Sequence, residues 1–394
     1  MSRIDGKSNK NNYQGGKSYG IFGEAVSSIK QKLNFDGFES SKEGSRQPRE
    51  NSERREVRQP KPPVRQNVPQ PNNPRNFFVF DVETIPCIET ARTFLKLGAE
   101  VSEEEVIAKL KAYHLEATGG QNEFFRQLFH KVVCISFIAG TIHTFKGGKE
   151  KYVIKTIRSG GRNGESEEEI LKGVFTYLNK HPSRLVSFNG RGFDMPVLQY
   201  RAMKYGIDAK WIYNDGYYNY NHRYSIEKHC DLLEMFSNFG ASARIKLEEI
   251  CALFKLPCKA NGVDGSNIYN LFKENKLEEI ADYCENDVIA TYILYLRFMQ
   301  HSGKLSAEGY NICLDNLCTM LKSEEARPSH TLFVEQLMQM NNGNPYISLP
   351  QGAFKQEVEE EVLGSEEGFE SSTENEENST ENEENSQEEE GEEK

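Results

Sequence analysis

Phe77-Phe78-Val79-Phe80-Asp81-Val82-Glu83-Thr84 sets four large apolar residues directly before two carboxylates. A continuous apolar run of this kind suits a strand covered on both faces, as in the interior of an α/β sheet. Residues two apart on a strand point to the same face, so Asp81 and Glu83 present both carboxylates together where the run ends. Alone the pair is weak, since an Asp-x-Glu arises by chance about once in a chain of this size, and a surface turn closing the strand is the alternative. Its position at the end of a buried strand is the informative part.

Downstream, a polar, helix-prone insertion fills about 91–130, and further strands are expected over 132–138 and 152–154. A helix over 167–180 leads to a strand over 185–188 and a helix over 195–205, with later helices near 247–255, 278–300, 307–322 and 331–340. Strands first, with helices around a mixed sheet, predict an RNase H-like α/β fold over 76–300. Residues 301–350 then form a helical extension packed on it.

The ends have a different composition. Residues 1–75 carry 15 Lys/Arg against 8 Asp/Glu, and residues 355–394 carry 18 Asp/Glu against 2 Lys. Of the chain's net −12, the part between holds only −3, so overall acidity says nothing against a polyanionic ligand. Few large apolar residues over 37–75, ending in a Pro-rich run, predict a disordered basic arm. The tandem Ser-Thr-Glu-Asn-Glu-Glu-Asn at 372–378 and 379–385 lies in a self-repelling run, read as a disordered acidic tail over 351–394. Ile21, Phe22, Ala25, Val26, Ile29 and Leu33 fall near helical spacing; a partner-binding helix over 19–34 and a fraying amphipathic scrap are the two readings. The eight cysteines form no C-x-x-C pair, which argues against a zinc ribbon. No stretch reaches the roughly 20 apolar residues that span a bilayer, and the expectation is a cytoplasmic protein without a membrane role.

Two further segments carry carboxylates in informative places. Asp194 closes Asn189-Gly190-Arg191-Gly192-Phe193-Asp194, directly after the strand over 185–188, where two glycines permit tight turns or the close approach of a ligand. Asp194 also precedes Pro196, which makes it a candidate helix cap. In Tyr283-Cys284-Glu285-Asn286-Asp287, four residues is just over one turn, so Tyr283 and Asp287 share a helix face and can hold a water between them. The alternative is an amphipathic helix with a core Tyr and a solvated Asp. Asp282 and Glu285 flank the pair on other faces. Carboxylates gathered from the ends of adjacent elements are what hard divalent ions require, and two such ions about 3.5–4 Å apart can activate water and neutralise charge in phosphodiester hydrolysis.

In order and context, Asp81-Val82-Glu83-Thr84, Asn189 through Asp194, and Tyr283-x-x-x-Asp287 resemble the DEDDy exonucleases. More narrowly, the chain looks like the bacterial family of predicted exonucleases related to the proofreading domain of family B DNA polymerases. Supporting segments are 130–133, Asp231-Leu232-Leu233-Glu234, and Gly262-Val263-Asp264-Gly265-Ser266. The resemblance implies 3′-5′ hydrolysis of nucleic acid with a free 3′ end, single-stranded DNA favoured, using two divalent ions, Mg²⁺ or Mn²⁺. Asp81, Glu83 and Asp287 would bind the catalytic ion, Asp81 would bridge to the second, and Asp194 would hold the second through water. Tyr283 would orient the attacking water, while Thr84, Asn189 and Phe193 would help place the terminal nucleotide. No polymerase domain is read in the chain, so the expectation is an exonuclease acting apart from a polymerase, with DNA repair as one setting.

Three readings stay open. An RNA exonuclease would use the same chemistry, because only contacts to the 2′-OH separate the sugars. A nucleic-acid-binding scaffold with a vestigial site is the other class, with partners recruited through 19–34 or the acidic tail. Trp211, Tyr213, Tyr217, Tyr218, Tyr220, His222, Arg223 and Tyr224 form an aromatic and basic cluster that could either stack on unpaired bases or serve as a hydrophobic lid.

Overall fold

The computed structural model describes residues 73–214, 219–258, 267–323 and 326–349. Residues 1–72 of the basic arm, with the 19–34 segment, the acidic tail over 351–394, Tyr217, Tyr218 and the Gly262–Ser266 stretch lie outside the described residues. The apolar run opens β1 (Asn76–Pro86). The insertion folds as α1 (Ile88–Leu95) and α2 (Glu103–Ala117), then a 3-10 turn at Gln127–Phe129. Two long strands follow, β2 (His130–Thr144) and β3 (Glu150–Gly160). Next come α3 (Glu167–Lys180), β4 (Ser183–Ser187), α4 (Asp194–Lys204), the short α5 (Lys210–Tyr213) and β5 (His229–Asp231). Helices α6 (Leu232–Phe236), α7 (Leu247–Phe254) and α8 (Ile268–Lys273) precede the long α9 (Leu277–His301), and α10 (Ala307–Met320) and α11 (Pro328–Met340) end the described chain.

The sheet order is β3-β2-β1-β4-β5. β1 is antiparallel to β2, and β2 to β3, whereas β4 runs parallel to both β1 and β5. This mixed five-stranded sheet between helices is the RNase H-like α/β architecture expected from the sequence. β5 and the short α6 and α8 were not foreseen: His229-Cys230-Asp231 is too short and too polar to show a strand period, and it pairs only because β4 offers an open edge.

β1 is central, and its alternation divides the core. Phe77 and Val79 face α9 with Ile138, Val186, Val288 and Tyr292, while Phe78, Phe80 and Val82 face α3 and α4 with Leu171, Phe175, Leu185 and Leu198. Each fully buried Phe contributes about 1.5–3 kcal/mol by leaving water, which is why the run can serve as the fold's axis. Its odd-numbered face continues into Asp81 and Glu83, so the strand period itself aims both carboxylates toward α9.

α9 is fastened over that face by Glu285, which is fully buried. Its carboxylate accepts from Ser159, from Arg327 at 2.6 Å and from His330 Nε2 at 2.7 Å, and pairs with Arg162 at 3.3 Å. Those partners come from β3, the loop after it, and the start of α11. Removing one member of such a cluster strands the others, so Glu285→Ala should cost about 3 kcal/mol, the lower end of the range for buried pairs because Arg327 is partly exposed. An unchanged urea midpoint for Glu285→Ala would show that the cluster adds nothing net.

Candidate active site

Cross-strand pairing sets Asp81 opposite Ser136 and Glu83 opposite Cys134. α9 crosses this end of the sheet with Cys284, whose thiol donates to the Asp81 carbonyl at 3.4 Å and reaches Asp81 Oδ2 at 3.8 Å. Single ligand atoms of Asp81, Glu83 and Cys284 all lie within 4.8 Å of one another. Burial raises the Asp81 carboxyl from an ordinary 3.8 to about 6, against lowering hydrogen bonds from the Val82 N–H and the Cys284 thiol. Glu83 is pushed well above its usual range, first by burial and then by the negative charges of Asp81, Asp287 and Asp194. Removal from water and mutual repulsion therefore act together.

One turn apart on α9, Tyr283 and Asp287 join this group. The Tyr283 hydroxyl is raised by burial first and then by Asp287, Glu83 and Asp81, so it stays a neutral phenol that can donate and accept hydrogen bonds. The flanking acids point elsewhere: Asp282 pairs with Arg162 at 2.7 Å, and Glu285 belongs to the fastening of α9.

Asp194 reaches the cluster from β4's end. It does not cap α4. It is the helix's first residue, behind an N-cap Phe193 that makes no side-chain cap bond, and its carboxylate is buried at 4 % exposure. Burial and the charge of Asp81 raise it, while the Val82 N–H and its own N–H hold it. A capping side chain would have bonded the N–H groups two or three residues on; this one is held by its own N–H and by that of Val82 in β1. The two glycines make room for neighbouring side chains: a Cβ on Gly190 would meet Ser187 Oγ at 2.3 Å, and one on Gly192 would meet Asn189 Oδ1 at 2.6 Å. Asn189 is left-handed, with φ +69°, a conformation Asn tolerates better than most residues.

Asp231, at β5's end, clamps this turn. Its carboxylate accepts from the Asn189 N–H at 2.9 Å and the Arg191 N–H at 2.8 Å while capping α6 through the Leu233 N–H at 3.0 Å. Arg244 donates to Asn189 Oδ1. Neither role was read from the sequence, because both bridge some 40 or more residues. Cys284 escaped notice because a buried cysteine reads as a small hydrophobe.

Thr84 and Phe193 both contact His130. Thr84 Oγ1 bonds His130 Nδ1 at 2.8 Å, and His130 Nε2 faces the Phe125 carbonyl at 3.3 Å. Burial lowers His130 to about 4, so its ring is neutral; with Nε2–H donating to the carbonyl, Nδ1 accepts and the Thr84 hydroxyl donates. Phe193 packs edge-on against that ring at 4.9 Å. Of the aromatic cluster, Trp211 and Tyr220 are buried in the core on the α3 face, Arg223 pairs with Glu234 at 2.8 Å, and Tyr213 and Tyr224 remain exposed. Trp211 and Tyr220 therefore cannot serve as stacking surfaces.

These elements meet just beyond the last parallel pair, Val79 with Val186, where β4 ends and β1 runs on along β2, so Asp81 and Glu83 stand within β1 and not after its end as the sequence suggested; open α/β sheets form their binding crevices where strands part in this way. The donor set fits a hard divalent ion: carboxylates from β1, α4 and α9, crowded enough that positive charge would relieve them. The Cys284 thiol, pushed well above its ordinary value by burial, suits such an ion poorly and serves Asp81 as a donor.

Residues 122–337 match a family model described as a predicted 3′-5′ exonuclease related to the exonuclease domain of PolB. The matched range includes Asp194, Tyr283 and Asp287 and begins after β1. No curated protein matches the chain. Among solved structures, a family B DNA polymerase from the hyperthermophilic archaeon Pyrobaculum calidifontis is similar at 15% identity and a TM-score of 0.33 over 68% of this chain. The aligned part spans 29% of that polymerase's length. No helix among the described residues is long and apolar enough to cross a membrane.

Proposed function

The chain belongs to the family of predicted 3′-5′ exonucleases related to the exonuclease domain of PolB, and from that premise we propose that it shortens single-stranded DNA from the 3′ end to 5′-mononucleotides in a DEDDy site. The observation that supports this reading is the crowding of Glu83 by Asp81, Asp287 and Asp194, with Tyr283 under the same charges. Asp81, Glu83 and Asp287 would hold one divalent ion, Asp81 would also face a second, and Asp194 would reach the second through water. When bound, the ions supply Lewis acidity and an activated water. Tyr283, a neutral phenol, would orient the attacking water by hydrogen bonding. Asp231 keeps the Asn189–Asp194 turn in place, and Asn189, Phe193 and Thr84 bound the space for the terminal nucleotide.

Digestion of DNA and RNA oligonucleotides of one sequence by the full chain tests the reading. Mg²⁺ or Mn²⁺ should support turnover, Ca²⁺ should slow it on the order of a hundredfold through its looser coordination, and DNA should be shortened faster than RNA. Equal rates on the two sugars would remove the DNA preference. Full activity in excess chelator would remove the metal mechanism.

A further inference from the structure

Phe124 is 58 % exposed, a large apolar ring left in solvent on a connection that is held in place. Its own N–H donates to Asn122 Oδ1 at 2.8 Å, and the Thr118 hydroxyl donates to the Asn122 carbonyl at 2.9 Å while accepting from the Asn122 N–H at 3.0 Å. Three residues on, Gln127 Nε2 donates to the Gly192 carbonyl at 2.9 Å, docking this connection onto the turn that carries Asp194. The Phe124 ring sits 5.7 Å from that of Phe193 and 5.3 Å from that of His130. Arg126 is also exposed. An aromatic face fixed in water next to the rim of a nuclease site, with an exposed cation two residues along the chain, matches what unpaired bases stack on.

We propose that Phe124, supplied by the segment between α2 and β2, is a stacking platform for a base at or next to the 3′ end of the substrate strand. This rests on the exonuclease reading above. The Phe124 and Phe193 centroids are too close to admit a base between them, so the base lies on the outer face of Phe124 and continues the surface begun by Phe193. A paired base, stacked within its duplex, cannot use this face. The platform therefore favours frayed or single-stranded ends.

The test uses single-stranded oligodeoxynucleotides with 2-aminopurine at the last, second or third position from the 3′ end, bound to full-length Asp81→Asn protein so that none is consumed. One of the last two positions should be quenched. Adding Phe124→Ala should restore its emission and weaken binding by about 5-fold to 150-fold, the span of a lost stacking contact, whereas Phe124→Trp should keep both. An abasic sugar at the quenched position should weaken binding to the Phe124 protein and leave the Phe124→Ala protein unaffected. Identical quenching and affinity with and without the ring would overturn the proposal, as would a Phe124 that serves only to dock another protein. If the unmodified chain digests no nucleic acid, the exonuclease reading fails while this binding test still runs; if digestion is normal and Phe124→Ala is silent, the platform alone fails.

Discussion

Asp81→Asn should reduce nuclease turnover by about a hundredfold or more and, in the same metal-free protein, raise the unfolding temperature at pH 7. The first effect follows from the proposed place of Asp81 between both ions, where an amide brings no charge. The second follows from the raised carboxyl, from 3.8 to about 6, which corresponds to about 3 kcal/mol at 1.36 kcal/mol per pH unit. A group whose folded pKa is raised gives its full stability below the unfolded value. The contribution of Asp81 is therefore full below pH 3.8, declines as pH climbs to about 6, and is lost above that. Thermal melts in chelator across that window should show wild type losing more stability with rising pH than Asp81→Asn does. Turnover above a few per cent, or a destabilised Asp81→Asn protein at pH 7, would contradict the assignment.

Tyr283→Phe should slow turnover by a factor on the order of ten to a thousand while leaving Mn²⁺ affinity nearly unchanged. The phenol is buried and held neutral by the carboxylates around it, so it acts through hydrogen bonds and supplies no charge to a cation. The ring itself packs with Ile280, Ala281 and Ile85, which phenylalanine preserves. A changed affinity for Mn²⁺ would make Tyr283 a ligand; an unchanged rate would make it a core residue only.

The sheet was legible because its axis is a local signal: four apolar residues before Asp81 suit a strand covered on both faces, and the structure covers both. The period of two also carried Asp81 and Glu83 to one side, and the period of 3.6 did the same for Tyr283 and Asp287. What stayed hidden depends on distant pairings. Asp231 clamping the Asn189 turn, Cys284 donating to Asp81, and Glu285 fastening α9 across to Arg327 each join residues that only the finished fold brings together. Asp194 shows the limit of local rules. Its sequence context is that of a helix cap, yet Asp194 is the first helical residue, and its buried carboxylate is held by its own N–H and that of Val82 in β1 rather than by the N–H groups of the next turn.

The most direct measurement follows a 5′-labelled single-stranded oligonucleotide with Mg²⁺, its 3′ end either free or phosphorylated, beside a closed circle of the same sequence, for wild type and Asp81→Asn. Wild type should generate a ladder shortening from the free 3′ end and release 5′-mononucleotides, with the phosphorylated end and the circle intact and Asp81→Asn nearly silent. A cut circle, shortening from the 5′ end, or equal digestion by Asp81→Asn would contradict a 3′-5′ exonuclease built on this carboxylate cluster.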